Sequence, residues 1–413
     1  MRVLSKFNVL VKKLYKQKVS SKSFILTTLL YLAVLSGVMF WSEIKDLLFS
    51  GDADVVAVVN ETDFDVSQVF QDNDDYEYKY VSADEVADKL KDGDYYVAFT
   101  LSDADGKLAA KIESYDPLPL NDQTTYQSML SQVGQLYAMS QLDLSPEQQQ
   151  LLLSSEPIIS LNSLNEAAED GKSADEKMAG VWISYAIGII IYAFVASYLS
   201  MITTDVASEK GSRALEMLLV SVKPEIHFRS KIVGVFLVAL TQFVVLFGGL
   251  LLLLKFSDGG NKWSFVTELF DSMSVSYFLY VLGFLFLTIM MYLIIGALFG
   301  SLVSKVEEAG QVMMPAMMLT LVGFYVMLTG MGNPDTLLIK IFSYIPFTSG
   351  MVMPMRLGAT DMNAIEPIIS FGLLVVTVLA LYFISLSFYK RSVLTYSSGG
   401  ILEKMKTVFK VTT

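Results

Sequence analysis

Six stretches of this chain, each roughly 18 to 27 residues long, carry almost no charge, and a helix of that length crosses about 30 Å of hydrocarbon. They run at about Ser23–Trp41, Ala179–Thr203, Val233–Leu254, Tyr277–Val303, Val312–Met331 and Pro367–Tyr389. Inside a bilayer every backbone N–H and C=O must find a partner within the protein, so such stretches have to be helices. The composition agrees: 53% of residues are hydrophobic, only 17% are charged, and the mean hydropathy is +0.49. The expected fold is a polytopic α-helical membrane protein. It has six transmembrane helices, with an extracellular α/β domain inserted between helices one and two.

Charge is segregated along the chain. Residues 42–178 hold 29 Asp/Glu against 8 Lys/Arg, a net of −21; the remainder holds 13 against 22, a net of +9. The acidity therefore belongs to one inserted segment, and the membrane part is basic. Seven cations and no acid precede the first span: Arg2, Lys6, Lys12, Lys13, Lys16, Lys18 and Lys22. Lys390, Arg391, Lys404, Lys406 and Lys410 follow the last, against Glu403 alone. The positive-inside rule places both termini in the cytoplasm and the acidic domain outside. The loop Ser304–Gly310 is then inside. The first span reads as retained, since its apolar run is long and no small-x-small cleavage site follows Trp41.

The leader, residues 1–22, is itself patterned. Val3, Phe7, Leu10 and Leu14 share one helical face, and Arg2, Lys6, Lys13 and Lys16 lie opposite. This is the pattern of an interfacial helix held by apolar burial and anionic lipid. Residues 23–41 are the first span and 390–413 a basic cytoplasmic tail.

The segment 42–178 reads as an α/β domain of its own. Strands are expected at Asp54–Asn60, Glu77–Val81, Tyr95–Leu101 and Lys107–Glu113, with turns at Asp92-Gly93 and Asp105-Gly106. Helices are expected at Ala83–Lys91 and Thr124–Leu142, with another starting in Pro146–Ser154. Asn162–Lys177 reads as a return linker to the membrane. Asp72-Asn73-Asp74-Asp75 lacks the spacing of a calcium loop and reads as a solvated acidic turn. The chain has no cysteine, so no disulfide holds this domain. That is compatible with the surface of a Gram-positive cell membrane.

Catalytic signals are missing. His227 is the one histidine, there is no cysteine nucleophile, and no phosphate-binding GxxxxGK[ST] loop occurs. The chain is not expected to be an enzyme by itself, nor to hold a metal or cofactor, and no nucleic-acid partner is expected. His227 reads as an ordinary interfacial residue. Gln242 is the most polar mid-span side chain, so an ion-coupled carrier lacks its buried charge and any energy must come from another chain.

The segment Asp205–Pro224 (205–224) breaks the apolar pattern. Leu215, Leu218, Leu219 and Val222 fall on one helical face, Glu209 precedes Arg213 by four residues, and Pro224 is expected to stop the helix. A patterned charged helix between two spans suits docking to a cytoplasmic partner. The run Glu209-Lys210-Gly211-Ser212 … Glu216-Met217-Leu218-Leu219-Val220-Ser221, with Pro224 and then Lys231-Ile232, resembles the type-2 ABC exporter permeases. The layout, one span, a large outside domain and five more spans, is similar to the permease subunit of sodium-extrusion ABC systems. It departs where Pro224 lies three residues past Ser221, and where Ser230 precedes Lys231.

The resemblance implies a coupling helix that fits a cleft on a separate ABC ATPase subunit. By position, Glu209, Lys210, Arg213 and Glu216 would contact that subunit, which would hold ATP and Mg2+. It also implies a re-entrant hairpin before the last span. Tyr344-Ile345-Pro346-Phe347-Thr348-Ser349-Gly350 and Met353-Pro354-Met355-Arg356 carry that likeness, within 340–360 of the five-helix region 179–389. Two prolines and Gly350 interrupt helix there, and such backbone is tolerated at membrane depth only when protein or water surrounds it. Methionines cluster on the fifth span and the hairpin, a pattern that suits helix packing or a lining for varied apolar ligands.

The expected function is therefore an exporter's membrane subunit, driven by ATP hydrolysed elsewhere. A second copy, as a homodimer, would complete the path. Met317, Met318, Phe324, Phe347 and Met353 would line it. Sodium is what the layout implies; an amphipathic peptide, lipid or drug suits the apolar lining. The alternative is a non-transporting sensor that couples ligand binding outside to a cytoplasmic ATPase.

Overall fold

The computed structural model describes residues 3–40, 44, 53–67, 69–73, 75–104, 107–142, 172, 174–212, 214–256, 261–303, 305–330 and 332–392. The chain divides into two compact units, Gly37–Asn162 and the combination of Met1–Ser36 with Ser163–Thr413.

The smaller unit is a four-stranded sheet with helices. Its elements are β1 (Asp54–Asn60), β2 (Tyr76–Tyr80), α3 (Ala83–Asp92), β3 (Val97–Ala104), β4 (Lys107–Glu113) and α4 (Leu120–Ser140). Strand order is β2-β1-β3-β4; β1 runs parallel to β2 and β3, and β4 antiparallel to β3. The central strand β1 has both faces buried, which explains its unbroken apolar run Val55–Val59. Val56 and Val58 join Phe99, Tyr126 and Val133 on one side; Ala57 and Val59 meet Val86 and Leu90 on the other. Gly93 closes α3 with φ +79°, a left-handed cap that returns its N–H to Leu90 and Lys89. Ahead of β2, Asp72 accepts from the Tyr78 amide at 2.8 Å, and Asn73 from those of Asp75 and Tyr76. The helix expected in Pro146–Ser154 and most of the return linker lie outside the described residues; the linker's last residues, from Ala174, belong to a helix.

The larger unit is helical. It contains α1 (Val3–Val19), α2 (Lys22–Met39), α5 (Ala174–Gly211), α6 (Ala214–Leu219), α7 (Pro224–Phe256), α8 (Asn261–Asp271) and α9 (Val275–Leu302). A 3₁₀ turn at Val306–Glu308 leads to α10 (Ala309–Thr329), α11 (Leu337–Tyr344), α12 (Pro346–Ala359) and α13 (Ile365–Ser392). Among the described residues, five helices are long and apolar enough to cross a membrane. The count is six if α1 and α2, bent by 58° at Ser20–Ser21, are taken together as one. The central helix is α5, packed on α9, α10 and α12.

Polar side chains fix the registers. The Tyr198 hydroxyl of α5 donates to Gln242 of α7, and Gln242 Nε2 donates to Thr28 of α2 at 3.0 Å. Three helices thus share one satisfied buried network, since a lone amide in that setting would cost free energy.

The elbow differs from the expectation. No continuous helix spans 205–224: α5 runs through to Gly211, α6 has six residues, and Pro224 begins α7 rather than ending a helix. The reason is proline's asymmetry. At the first position of a helix its missing N–H costs nothing and its fixed φ favours helix.

Candidate functional site

The turn from α5 through α6 into α7 is built around buried charge. Asp205 and Glu209 are four residues apart on α5, and His227 and Lys231 four apart on α7, so each pair shares one helical face. The turn sets these faces against each other. Lys231 Nζ lies 2.7 Å from Glu209 Oε1 and 3.9 Å from Asp205 Oδ2. His227 Nε2 lies 3.0 Å from Glu209 Oε2, while its Nδ1 lies 2.7 Å from the Tyr389 hydroxyl of α13. An imidazole with its proton on Nε2 donates to Glu209 and accepts from Tyr389, satisfying all three groups. The His227 side chain is only 2% exposed and that of Lys231 9%, so Glu209 compensates two groups cut off from water.

Lys210 performs a second anchoring. It is fully buried, and its ammonium donates to the carbonyls of Ser301 at the end of α9 (2.6 Å) and Ser392 at the end of α13 (2.7 Å). These are carboxyl-terminal helix carbonyls without intrahelical partners, where a cation is favoured. On the other flank, α1 straps the elbow. Lys18 pairs with Asp205 at 2.6 Å, Lys6 Nζ donates to the Ser221 carbonyl at 2.7 Å, and Tyr15 bonds Thr241 at 2.9 Å. A cleft of about 260 Å³ lies along this seam, walled by Leu10, Leu14, Leu218, Lys13, Ser208 and Ser230 together with the charged pairs.

The residues expected to contact an ATPase are thus separated. Glu209, 30% exposed, and the buried Lys210 both bond within the chain and hold the elbow to the bundle. Glu209 pairs with His227 and Lys231; Arg213, its expected partner, lies outside the described residues. Glu216 is exposed, as are its neighbours Met217 at 74% and Val220 at 90%, while Leu215 anchors α6 in the core. His227, read as an ordinary interfacial residue, is a buried member of the cluster. The signal that could have found it was present: two i,i+4 pairs of opposite charge, one on each side of the turn.

The path residues are also dispersed within one chain. Met353 is fully buried in the core, Met317 and Phe324 pack against that core, and Met318 is 53% exposed on another face of α10. Phe324 lies 5.1 Å from Tyr192 of α5, and the Phe347 carbonyl accepts from Tyr292 of α9 at 3.0 Å. The hairpin of α11 and α12 is continuous helix on each side of Ile345. Pro346 starts the second arm, and Pro354 lies within it.

Comparison with known proteins places the chain. Residues 22–387 match the family model described as ABC-2 family transporter protein. The uncharacterized protein YhaP of Bacillus subtilis strain 168 is 29% identical over 431 aligned residues, covering 99% of each chain. The uncharacterized protein MJ1024 of Methanocaldococcus jannaschii is 29% identical over 224, covering 54% of this chain and 52% of its own. No solved structure matches. The family match runs from the start of α2 almost to the end of α13 and takes in the inserted sheet and all five long apolar helices, so this chain belongs to the ABC-2 transporter family and is a multi-pass membrane component of transport.

Proposed function

We propose that this chain is the permease subunit of an ATP-binding-cassette exporter, moving its substrate outward with ATP hydrolysed by a separate ATPase subunit. The observation that carries the reading is the elbow. Buried charge ties its two long arms to each other and to α9 and α13, while the short α6 presents Glu216, Met217 and Val220 to its surroundings. Such a rigid joint with a small amphipathic knob suits a docking cleft on the ATPase, which would hold the ATP and Mg2+. ABC-2 permeases normally work with an ATPase subunit, so the partner class follows the family.

On this reading the elbow and both termini are cytoplasmic and the sheet domain is outside, on the cell membrane of a Gram-positive bacterium. Two copies form the path, with α5, α10 and the hairpin nearest the axis. The polar groups described at mid-span are neutral, Tyr198, Gln242 and Thr28. They favour an amphipathic peptide, lipid or drug over sodium as the cargo, because a cation path calls for carboxylates. The test is co-expression with a candidate ATPase, followed by purification and ATPase assay. The pair should co-purify, and Met217→Asp with Glu216→Ala should lower hydrolysis while membrane insertion stays intact. Wild-type complex recovery and activity in that double variant would reject the elbow as the docking site. Hydrolysis by the single polypeptide would reject the division of labour.

A further inference from the structure

The segment at the start of α5 grips the carboxyl end of α12 in three independent ways. Lys172 Nζ donates to the carbonyls of Leu357, Gly358 and Thr360, the last turn of that helix. Its backbone N–H donates to Asp361 Oδ1 at 2.8 Å, and Lys177 Nζ lies 2.5 Å from Asp361 Oδ2. Gly180 and Gly358 then meet backbone to backbone: a Cβ on Gly180 would stand 2.4 Å from the Gly358 carbonyl carbon. The final carbonyls of a helix lack intrahelical donors and carry the negative end of its dipole, so an ammonium there satisfies both demands. Burial pulls the Lys172 ammonium below the ordinary lysine range, against the charges of Asp361 and Glu176. Burial also pushes the Asp361 carboxyl up, but its bonds to Lys177 and the Lys172 amide outweigh this and leave it below its usual value.

The far side of α12 is bound differently. Arg356 is fully buried, and its guanidinium reaches Ser343 of α11 and Glu366 of α13, each at 2.9 Å, and Asp335 at 3.5 Å. Ser370 of α13 donates to the Ser343 carbonyl at 2.6 Å, and Tyr344 donates to Glu366 at 2.8 Å. These bonds join α11, α12 and the first turns of α13 into one block. Its central cation, Arg356, is fully buried, although its carboxylate partners Glu366 and Asp335 reach solvent; in the Lys177–Asp361 tie to α5 both partners do, at 38% and 27% for the two side chains. Exposed pairs are the cheaper ones to break.

We propose that Lys172, Lys177 and Gly180 form a releasable clamp that sets the position of the α11–α12 block, with Lys172 as its positioning residue. On release the block shifts as one body while Arg356 keeps its interior intact. The consequence for an outward path rests on the transporter reading; the clamp itself does not.

The test uses the full chain, whose lack of cysteine gives a clean background. Ala359→Cys on α12 reports exposure at the clamp, and Ile339→Cys, fully buried on α11, reports opening inside the block. Thiol labelling is followed in purified protein with and without Lys172→Met/Lys177→Met. The clamp variant should speed labelling at Ala359→Cys by about tenfold and change that at Ile339→Cys by less than about twofold. Lys172→Arg, which keeps the cation, should restore slow labelling in an otherwise wild-type clamp. Unchanged labelling at Ala359→Cys would overturn the clamp. Equal acceleration at both positions would overturn the rigid block. Neither readout needs an ATPase or a substrate, so failure here leaves the transporter reading standing, and failure to co-purify with an ATPase leaves the clamp standing.

Discussion

Lys231→Met is the sharpest probe of the elbow. The substitution keeps most of the side-chain stem and removes the ammonium that lies 2.7 Å from Glu209. At an effective dielectric constant of about 20, the attraction across that gap is roughly 6 kcal/mol before desolvation is charged against it. Removing one partner of a buried pair typically costs about 3–5 kcal/mol. Here Glu209 is 30% exposed and keeps His227 as a donor, so about 2–3 kcal/mol is expected, in line with charged hydrogen bonds. The readout is local opening. Leu215 is 1% exposed and holds α6 in the core, so Leu215→Cys is labelled only when the elbow lifts. A loss of 2–3 kcal/mol should raise that labelling rate about 30- to 150-fold relative to Leu215→Cys alone. Adding Glu209→Gln should recover part of the loss, because the stranded carboxylate is then gone. Labelling within about threefold of the parent would refute the idea that this buried charge anchors the elbow.

Topology is tested in sealed cells with an impermeant thiol reagent: Asp72→Cys should label from outside and Lys305→Cys should not. Gly93→Ala should destabilise the sheet domain by about 1 kcal/mol through its left-handed backbone, read as a lowered melting midpoint in that domain. The clamp should also weaken with acid. Asp361 has a folded value below its unfolded one, so its contribution is complete above the ordinary carboxylate range and is lost as pH falls through the depressed value. Labelling at Ala359→Cys should therefore accelerate on strong acidification in the wild-type clamp, and this dependence should vanish in Asp361→Asn.

Much of the architecture was written in short-range pattern. Asp54–Asn60 and Lys107–Glu113 are strands with the expected boundaries, because β-branched residues and turn dipeptides specify them locally. The five long helices follow from apolar length. The amphipathic leader is likewise a helix, Val3–Val19. What resisted reading was partnership across distance. Glu209 bonds His227 and Lys231, 18 and 22 residues on in sequence, which only the folded turn brings near. Lys210 caps two helix ends more than 90 residues away, a partnership that its neighbours in sequence do not signal. Pro224 was ambiguous in principle, since proline both follows one helix and opens another, and the residues on either side did not decide it. The path residues were chosen for softness and spacing, and a single chain buries Met353 while exposing Met318.

One element joins the two anchored regions. Helix α5 is 38 residues long, or about 57 Å at 1.5 Å per residue. Lys177 and Gly180 at its start hold the α12 block, and Glu209 and Lys210 at its end hold the elbow. No proline interrupts it. The buried charges at its far end are poor sources of stability by themselves, because desolvation consumes much of their attraction. Their physical advantage is specificity: an ion pair in a dry joint tolerates one register, and a helix that cannot slip at one end must carry displacement to the other. A push on α6 is then borne by α5 as a whole rather than dissipated at the turn. The same reasoning explains why the cations at both ends are spent on the chain's own carbonyls and carboxylates. They hold the element in place, and Glu216, Met217 and Val220 are left exposed, where the proposed ATPase would meet them.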